Sequence, residues 1–239
     1  MDWLDKAWAR LDKAWARLDR KRVGRIAGVA LVTAGVVVIC DVAITLAWKE
    51  PVSSLYAAIA QSNAEGDVEE LEDSFPEATG PDQATIRRRA RKLANKFTDE
   101  VETDEGIGRI EIPEIDAKYA LVQGTDLDAL KKGPGHYPKT SFPGQGDTVG
   151  VAGHRTTYLA PFRHIDELER GDEIVLEMPY ASFTYEVAHK RIVEPDTLGV
   201  VRRVKTERVV LTACHPLHSA AKRYVVFGRL ASVAERDES

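Results

Sequence analysis

A run of 23 residues from Ile26 to Trp48, IAGVALVTAGVVVICDVAITLAW, constrains this chain more than any other feature. As a helix it would extend about 34 Å, enough to cross a hydrocarbon core of roughly 30 Å. A signal peptide would have a shorter apolar region ending at a small-residue cleavage site, and no such site is evident. A buried core helix would leave the basic flank unexplained. Residues 1–25 carry eight Lys or Arg against four Asp. That bias before the run predicts a cytoplasmic N-terminus, with everything after residue 48 on the outer side. Asp41 is the only charge in the run and lies off-centre towards the outer face, where its cost falls below the roughly 2.5–3.5 kcal/mol of a mid-bilayer acid.

On either side the chain divides by composition. Ahead of the span, LDKAWAR occurs twice in succession, at 4–10 and 11–17. Its seven-residue period aligns Leu4, Leu11 and Leu18, with Trp8 and Trp15 beside them, as in a basic amphipathic helix at a headgroup layer. A duplicated tail without fixed structure is the alternative. After the span, residues 49–105 hold fourteen acidic residues against seven basic ones and read as a helical stalk. Helices are expected over about 51–73 and 82–98, the second with Ile86, Ala90, Leu93 and Phe97 at helical spacing. Its RRRARK run reads as a solvated face.

The pattern changes at Gly106. GRIEIPEI, AKYALVQG, DTVGVAGH, DEIVLEM, SFTYEVAHKRIV, ERVVLTAC and RYVVFGRL are short β-rich runs separated by Gly, Pro and Asp. Phe183, Tyr185 and Val187 alternate as in a half-buried strand. Seven or eight such strands imply a mainly β fold, a small barrel or sandwich. Only TDLDALKK and APFRHIDEL look helical within it. The parts are therefore a tail (1–25), a transmembrane helix (26–48), a stalk (49–105), a β domain (106–230) and a C-terminal tail (231–239). A net charge of −5 over 239 residues gives no broad basic surface and argues against nucleic acid as a partner.

Of the two cysteines, Cys40 lies inside the apolar run and cannot reach Cys214. An unpaired outer-side thiol at a strand end is a candidate nucleophile, which needs a proton partner and a group to hold an oxyanion. Among six histidines, His154 stands out, because it follows an apolar strand where functional side chains are presented. His164 and His189 read as surface or structural residues. Cys214, His215 and His218 form C-H-x-x-H, but adjacent residues of a strand face opposite ways and paired ligand spacings are missing, so no metal is assigned.

VAGHRTTYLAPF, VVLTACHP and KRYVVFG together resemble the sortase family, in particular the class E type found in actinobacteria. The resemblance covers about residues 106–230, with the motifs in order. It implies an eight-stranded sortase β-barrel and a cell-wall-facing cysteine transpeptidase without a cofactor. Carried over, Cys214 is the nucleophile, His154 the acid/base and Arg223 the oxyanion- and substrate-binding arginine. Tyr137, Thr212 and His215 are the substrate-binding candidates. The family usually reads T-L-x-T-C, and Ala213 replaces the threonine before the cysteine, which puts that hydroxyl's contact in doubt. Implied partners are surface proteins bearing a C-terminal sorting signal and a peptidoglycan-precursor or pilin amine. A cysteine hydrolase on the same site, or a silent anchored binding module, are the rival readings.

Overall fold

The computed structural model describes Trp8 and residues 20–48 and 51–236; the rest of the LDKAWAR repeat and residues 237–239 lie outside the described residues. The chain forms two units, Met1–Lys49 and Glu50–Ser239. In the first, α1 (Arg20–Trp48) is a single helix. Twenty of its residues, Arg22–Asp41, are long and apolar enough to cross a membrane, and none of that stretch is buried against protein. A helix apolar all round with no protein partner suits lipid.

In the second unit the β-runs close into a barrel. The strands are β1 (Gly106–Ile112), β2 (Ala117–Gln123), β3 (Gly135–His136), β4 (Thr148–Ala152), β5 (Glu173–Met178), β6 (Ala181–Val193), β7 (Arg208–His215) and β8 (Lys222–Ala234). Their spatial order is β1-β2-β3-β4-β7-β8-β6-β5, which closes back on β1. The pairs β2·β3 and β4·β7 are parallel and the remaining pairs antiparallel. Alternate residues fill the interior: Val149 and Val151, Ile174 and Leu176, Phe183, Tyr185 and Val187, Val209 and Leu211. Burial of each such side chain contributes about 1.5–3 kcal/mol.

The stalk expected over 49–105 is helical but lies on the barrel instead of extending from it. Helix α2 (Pro51–Ser74) buries Ala57, Ala64 and Val68. Helix α3 (Gln83–Glu100), capped by the Asp82 carboxylate accepting from the Thr85 N–H at 2.7 Å, buries Ile86, Ala90, Ala94 and Phe97. Phe97 is fully buried, with Phe75, Phe142 and Tyr180 rings 5.2–5.4 Å from its own. The acidic residues of α2 have partners further along the chain. Arg109 of β1 binds Glu72 at 2.6 Å and also Glu65. Gln61 acts as a short strand beside β2, accepting from Ala120 N–H at 2.9 Å and donating to its carbonyl at 3.1 Å. Contact is close enough that a Cβ on Gly106 would sit 2.0 Å from the Ala64 carbonyl oxygen, so only glycine fits there.

TDLDALKK holds a helix, α4 (Leu127–Lys132), as expected. APFRHIDEL does not. It forms successive turns, Arg163 N–H to Ala160, Ile165 to Phe162 and Glu167 to His164 carbonyls. Phe162, Ile165 and Leu168 are fully buried at a spacing of three, which suits i→i+3 turns better than an α-helix. Left-handed backbone at Tyr158, Leu159 and Ala160 precedes the segment and prevents a helical start.

His136 marks a polar point inside the fold. It is buried, its Nδ1 is 2.8 Å from Gln123 Oε1 and its Nε2 3.1 Å from the Ser141 carbonyl, and its ring stacks on Phe142. Burial lowers its pKa from 6.5 to about 4. As pH falls, protons therefore bind the unfolded chain first, and stability drops between 6.5 and about 4. We expect this one residue to account for about 3 kcal/mol of that loss. Urea unfolding of wild type and His136→Gln over that range should show a shallower decline in the variant; parallel curves would contradict the assignment.

Candidate active site

The placement of Cys214 follows from strand parity. Val209, Leu211 and Ala213 of β7 belong to the barrel core, so Val210, Thr212 and Cys214 face outward. Two neighbours set what surrounds the thiol. On one side β4 runs parallel with Ala152 opposite Thr212, and the Gly153 N–H donates to the Thr212 carbonyl at 3.0 Å. His154 and Cys214 each lie two residues further on, and so leave adjacent strands at the same level. On the other side β8 runs antiparallel and sets Arg223 directly opposite Cys214. Adjacent strands are roughly 4.8 Å apart. Residues 60 apart in sequence are thus gathered at one end of the barrel.

Each of the three has a distinct setting. Cys214 is half-buried. The His154 carbonyl accepts from the Phe162 N–H at 3.0 Å and its ring lies 5.3 Å from that of Tyr158. Burial lowers the His154 pKa, favouring the neutral imidazole. Its Nε2 is buried with no hydrogen-bond partner among the described residues. The Arg223 guanidinium is held over the β7–β8 turn, where Nη1 donates to the Ala220 and Lys222 carbonyls at 3.0 and 3.1 Å.

The outward face continues from Cys214 along β7 and β4. Tyr137 lies across Gly150 of β4, where a Cβ would meet its ring at 2.9 Å. Its hydroxyl and Thr212 Oγ1 are 2.8 Å apart, so two of the three substrate-binding candidates form one pair next to Cys214. His215 takes the opposite face of β7, with its ring 5.7 Å from that of Tyr224 and away from this pair. Further along, Val210, Val225 and Phe227 are covered by Val193 at the end of β6 and by Val200 and Val201 of the β6–β7 segment. Among the described residues no three His, Cys, Asp or Glu side chains gather as a metal site.

The family model described as Sortase domain matches residues 110–231. This chain belongs to the sortase family. It is 36% identical over 164 residues to Sortase D of Bacillus subtilis (strain 168), covering 66% of this chain and 81% of that protein. It is 31% identical over 154 residues to Sortase SrtE1 of Streptomyces coelicolor (strain ATCC BAA-471 / A3(2) / M145), covering 58% of this chain and 43% of that longer protein. Among solved structures, a Clostridium perfringens Sortase D5 transpeptidase matches with a TM-score of 0.58 at 25% identity, covering 72% of this chain and 99% of that one. The closed eight-stranded barrel is the sortase fold, and the enzyme is a cysteine transpeptidase.

One residue of this sortase site was missed in the sequence. Arg155, next to His154, is 2% exposed and lies beneath the cysteine. Its Nη2 binds Asp166 at 2.5 Å and donates to the Arg163 carbonyl at 3.2 Å. Its Nη1 approaches the Cys214 carbonyl and His215 Nδ1, both at 3.5 Å, and its guanidinium lies over the Tyr224 ring at 5.8 Å. The fork thus ties the exit of β4, the turns after it and the end of β7. A hydrogen-bonded charge of this kind contributes about 2 kcal/mol. Arg155→Met should lower the unfolding free energy by about that amount in urea titration, and Arg155→Lys should restore less than half. Full rescue by lysine would show that charge alone suffices.

Proposed function

We propose that this sortase uses Cys214 as nucleophile, His154 as acid/base and Arg223 as the oxyanion- and substrate-binding group. The observation that carries the assignment is the shared level of these residues on three adjacent strands. The Cys214 thiolate attacks the carbonyl of a threonine in the sorting signal, and negative charge collects on its oxygen near Arg223 and backbone N–H groups. The Thr–Gly bond breaks as His154 gives a proton to the departing glycine amine. A thioacyl enzyme remains. An amine of a cell-wall precursor or pilin then attacks it, transferring its proton to His154 as the thiolate leaves. Cys214→Ala should abolish thioacyl formation without unfolding the barrel. His154→Ala and Arg223→Ala should each lower kcat/KM at least about a hundredfold. Near-wild-type turnover by any of the three would overturn the assignment.

The same reading places residues 26–48 in the membrane, 1–25 in the cytoplasm and 49–239 outside, with the basic flank and the apolar α1 in support. A membrane-impermeant thiol reagent should modify Cys214 on intact cells; reaction only after lysis would reverse the topology.

For the signal itself, VAGHRTTYLAPF, VVLTACHP and KRYVVFG, together with Gly135-His136-Tyr137, favour the class E type of actinobacteria, while the higher identity to a class D relative weighs against it. A physical argument favours L-A-x-T-G over L-P-x-T-G. A Tyr137 hydroxyl donating to Thr212 keeps its own lone pairs for a peptide N–H, which alanine at the second signal position supplies and proline lacks. Leaving that acceptor unmet costs about 1–3 kcal/mol. Paired peptides differing only at that position should favour alanine by about fivefold or more in kcat/KM, and Tyr137→Phe should weaken the preference. Equal values in the wild type would sink this reading of Tyr137.

A further inference from the structure

The β6–β7 segment has a second face with no place in acyl transfer. Behind the valines that cover Val210 and Val225 is a pocket of about 230 Å³ lined by Arg191, Arg202, Arg208, His189, Thr197 and Phe227, among others, with no carboxylate in its wall. Arg191 comes from β6, Arg208 from the start of β7 and Arg202 from the segment between them. Phe227 forms an apolar base, with the His189 ring stacked on it at 4.4 Å and the Arg208 guanidinium over it at 5.3 Å.

Adjacent arginines in this segment are treated differently. Arg203 donates to Asp147 at 2.7 Å, and the other oxygen of Asp147 accepts from the Val204 N–H at 2.6 Å. Thr148 Oγ1 donates to the Arg202 carbonyl at 2.8 Å. The backbone at 202–204 is thereby fixed to β4, with Arg203 neutralised and Arg202 directed to the pocket. Arg208 is held by Thr148 Oγ1 at 3.0 Å and the Val200 carbonyl at 3.1 Å. Among the described residues the guanidiniums of Arg191 and Arg202 make no ion pair or hydrogen bond, and Arg208 has no ion pair. Burial and then the Arg202 charge lower the basicity of Arg208, partly opposed by the nearby Asp147 carboxylate. Like charges gathered around one concavity with no carboxylate in its wall are relieved by an anion.

We propose that this pocket binds a phosphate-type oxyanion, either pyrophosphate or a phosphate monoester group. Planar guanidinium forks match phosphate oxygens in pairs, and three of them suit a multiply charged group better than a single carboxylate. Thr197 adds a hydroxyl, and the apolar base excludes water beneath the ion. Phe227 lies opposite Val210, four residues before Cys214, which places the pocket about 13 Å along the same outer face from the thiol. It is therefore separate from the groove that would hold the signal, and binding can be read without any transpeptidation.

The test is calorimetric titration of the full-length protein in an uncharged detergent, with sodium pyrophosphate and phenyl phosphate at constant ionic strength. Single-site saturable binding is expected. Arg202→Gln and Arg191→Gln should each weaken it at least tenfold, whereas Arg88→Gln, in the exposed arginine run of α3, should leave it unchanged. Binding of both ligands would identify the group as one carried on a larger molecule, and binding of pyrophosphate alone as a free ion. Absence of saturable binding would overturn the proposal. So would equal affinity in Arg202→Gln and wild type, or a loss confined to Arg88→Gln.

Discussion

The parallel pairing of β4 with β7 is the constraint on which the rest of this sortase depends. Strands joined in parallel leave a sheet at the same end, so the residues following them share a rim although about 60 positions separate them. The antiparallel return of β8 then brings its first residues to that rim. Register is critical. A slip of one residue along β7 would turn Cys214 into the core and present Ala213 outward. The inward valines of β4 and the Val209–Leu211 pair in β7 oppose such a slip, since moving them would expose their side chains. Barrel closure removes the free edges along which strands could shift.

Helices α2 and α3 reinforce this arrangement from outside. Phe97 belongs to the same buried cluster as Phe142 and Tyr180, and Arg109 ties β1 to two glutamates of α2. The Gln145 side chain donates to Thr98 Oγ1 at 2.9 Å, which couples the loop before β4 to α3. The position of β4, and with it His154, is thus supported by a segment whose composition resembles a linker. That segment is part of the folded unit from Glu50 onward.

Much of this was legible in the sequence, for identifiable reasons. Strands have a period of two and short turn signals, so Phe183, Tyr185 and Val187 already marked an inner face. The strand-end positions of Cys214, His154 and Arg223 were legible because each falls within a short motif beside an apolar run. The docking of α2 was not legible, because Glu65, Glu72 and Gln61 meet partners 37 to 71 residues away that no local pattern pairs with them. An acidic helix looks the same whether its acids face water or an arginine. Arg155 was hidden for a related reason. Its adjacency to His154 was visible, but its burial depends on the turns at 160–167, whose three-residue spacing was read as a helix. The LDKAWAR repeat apart from Trp8 lies outside the described residues, and its amphipathic reading stays an expectation.

The exterior of the barrel raises a final physical point. Outward positions of a solvated sheet should be polar, yet Val210, Val225 and Phe227 face outward on β7 and β8. Exposed together they would form an apolar patch of the kind that promotes association. Val193 at the end of β6 and Val200 and Val201 of the β6–β7 segment cover them, while Asp147 and Glu207 fix the C-terminal part of that segment: Asp147 accepts from the Val204 N–H at 2.6 Å, and Glu207 accepts from Gly144 and Gly146 N–H at 2.7 and 3.0 Å. This cover stops short of Cys214, which remains half-buried. Beyond the covered valines, the same face carries the paired Tyr137 and Thr212 hydroxyls before it reaches the rim. The cover thus removes apolar surface from water on the same face that ends at Cys214.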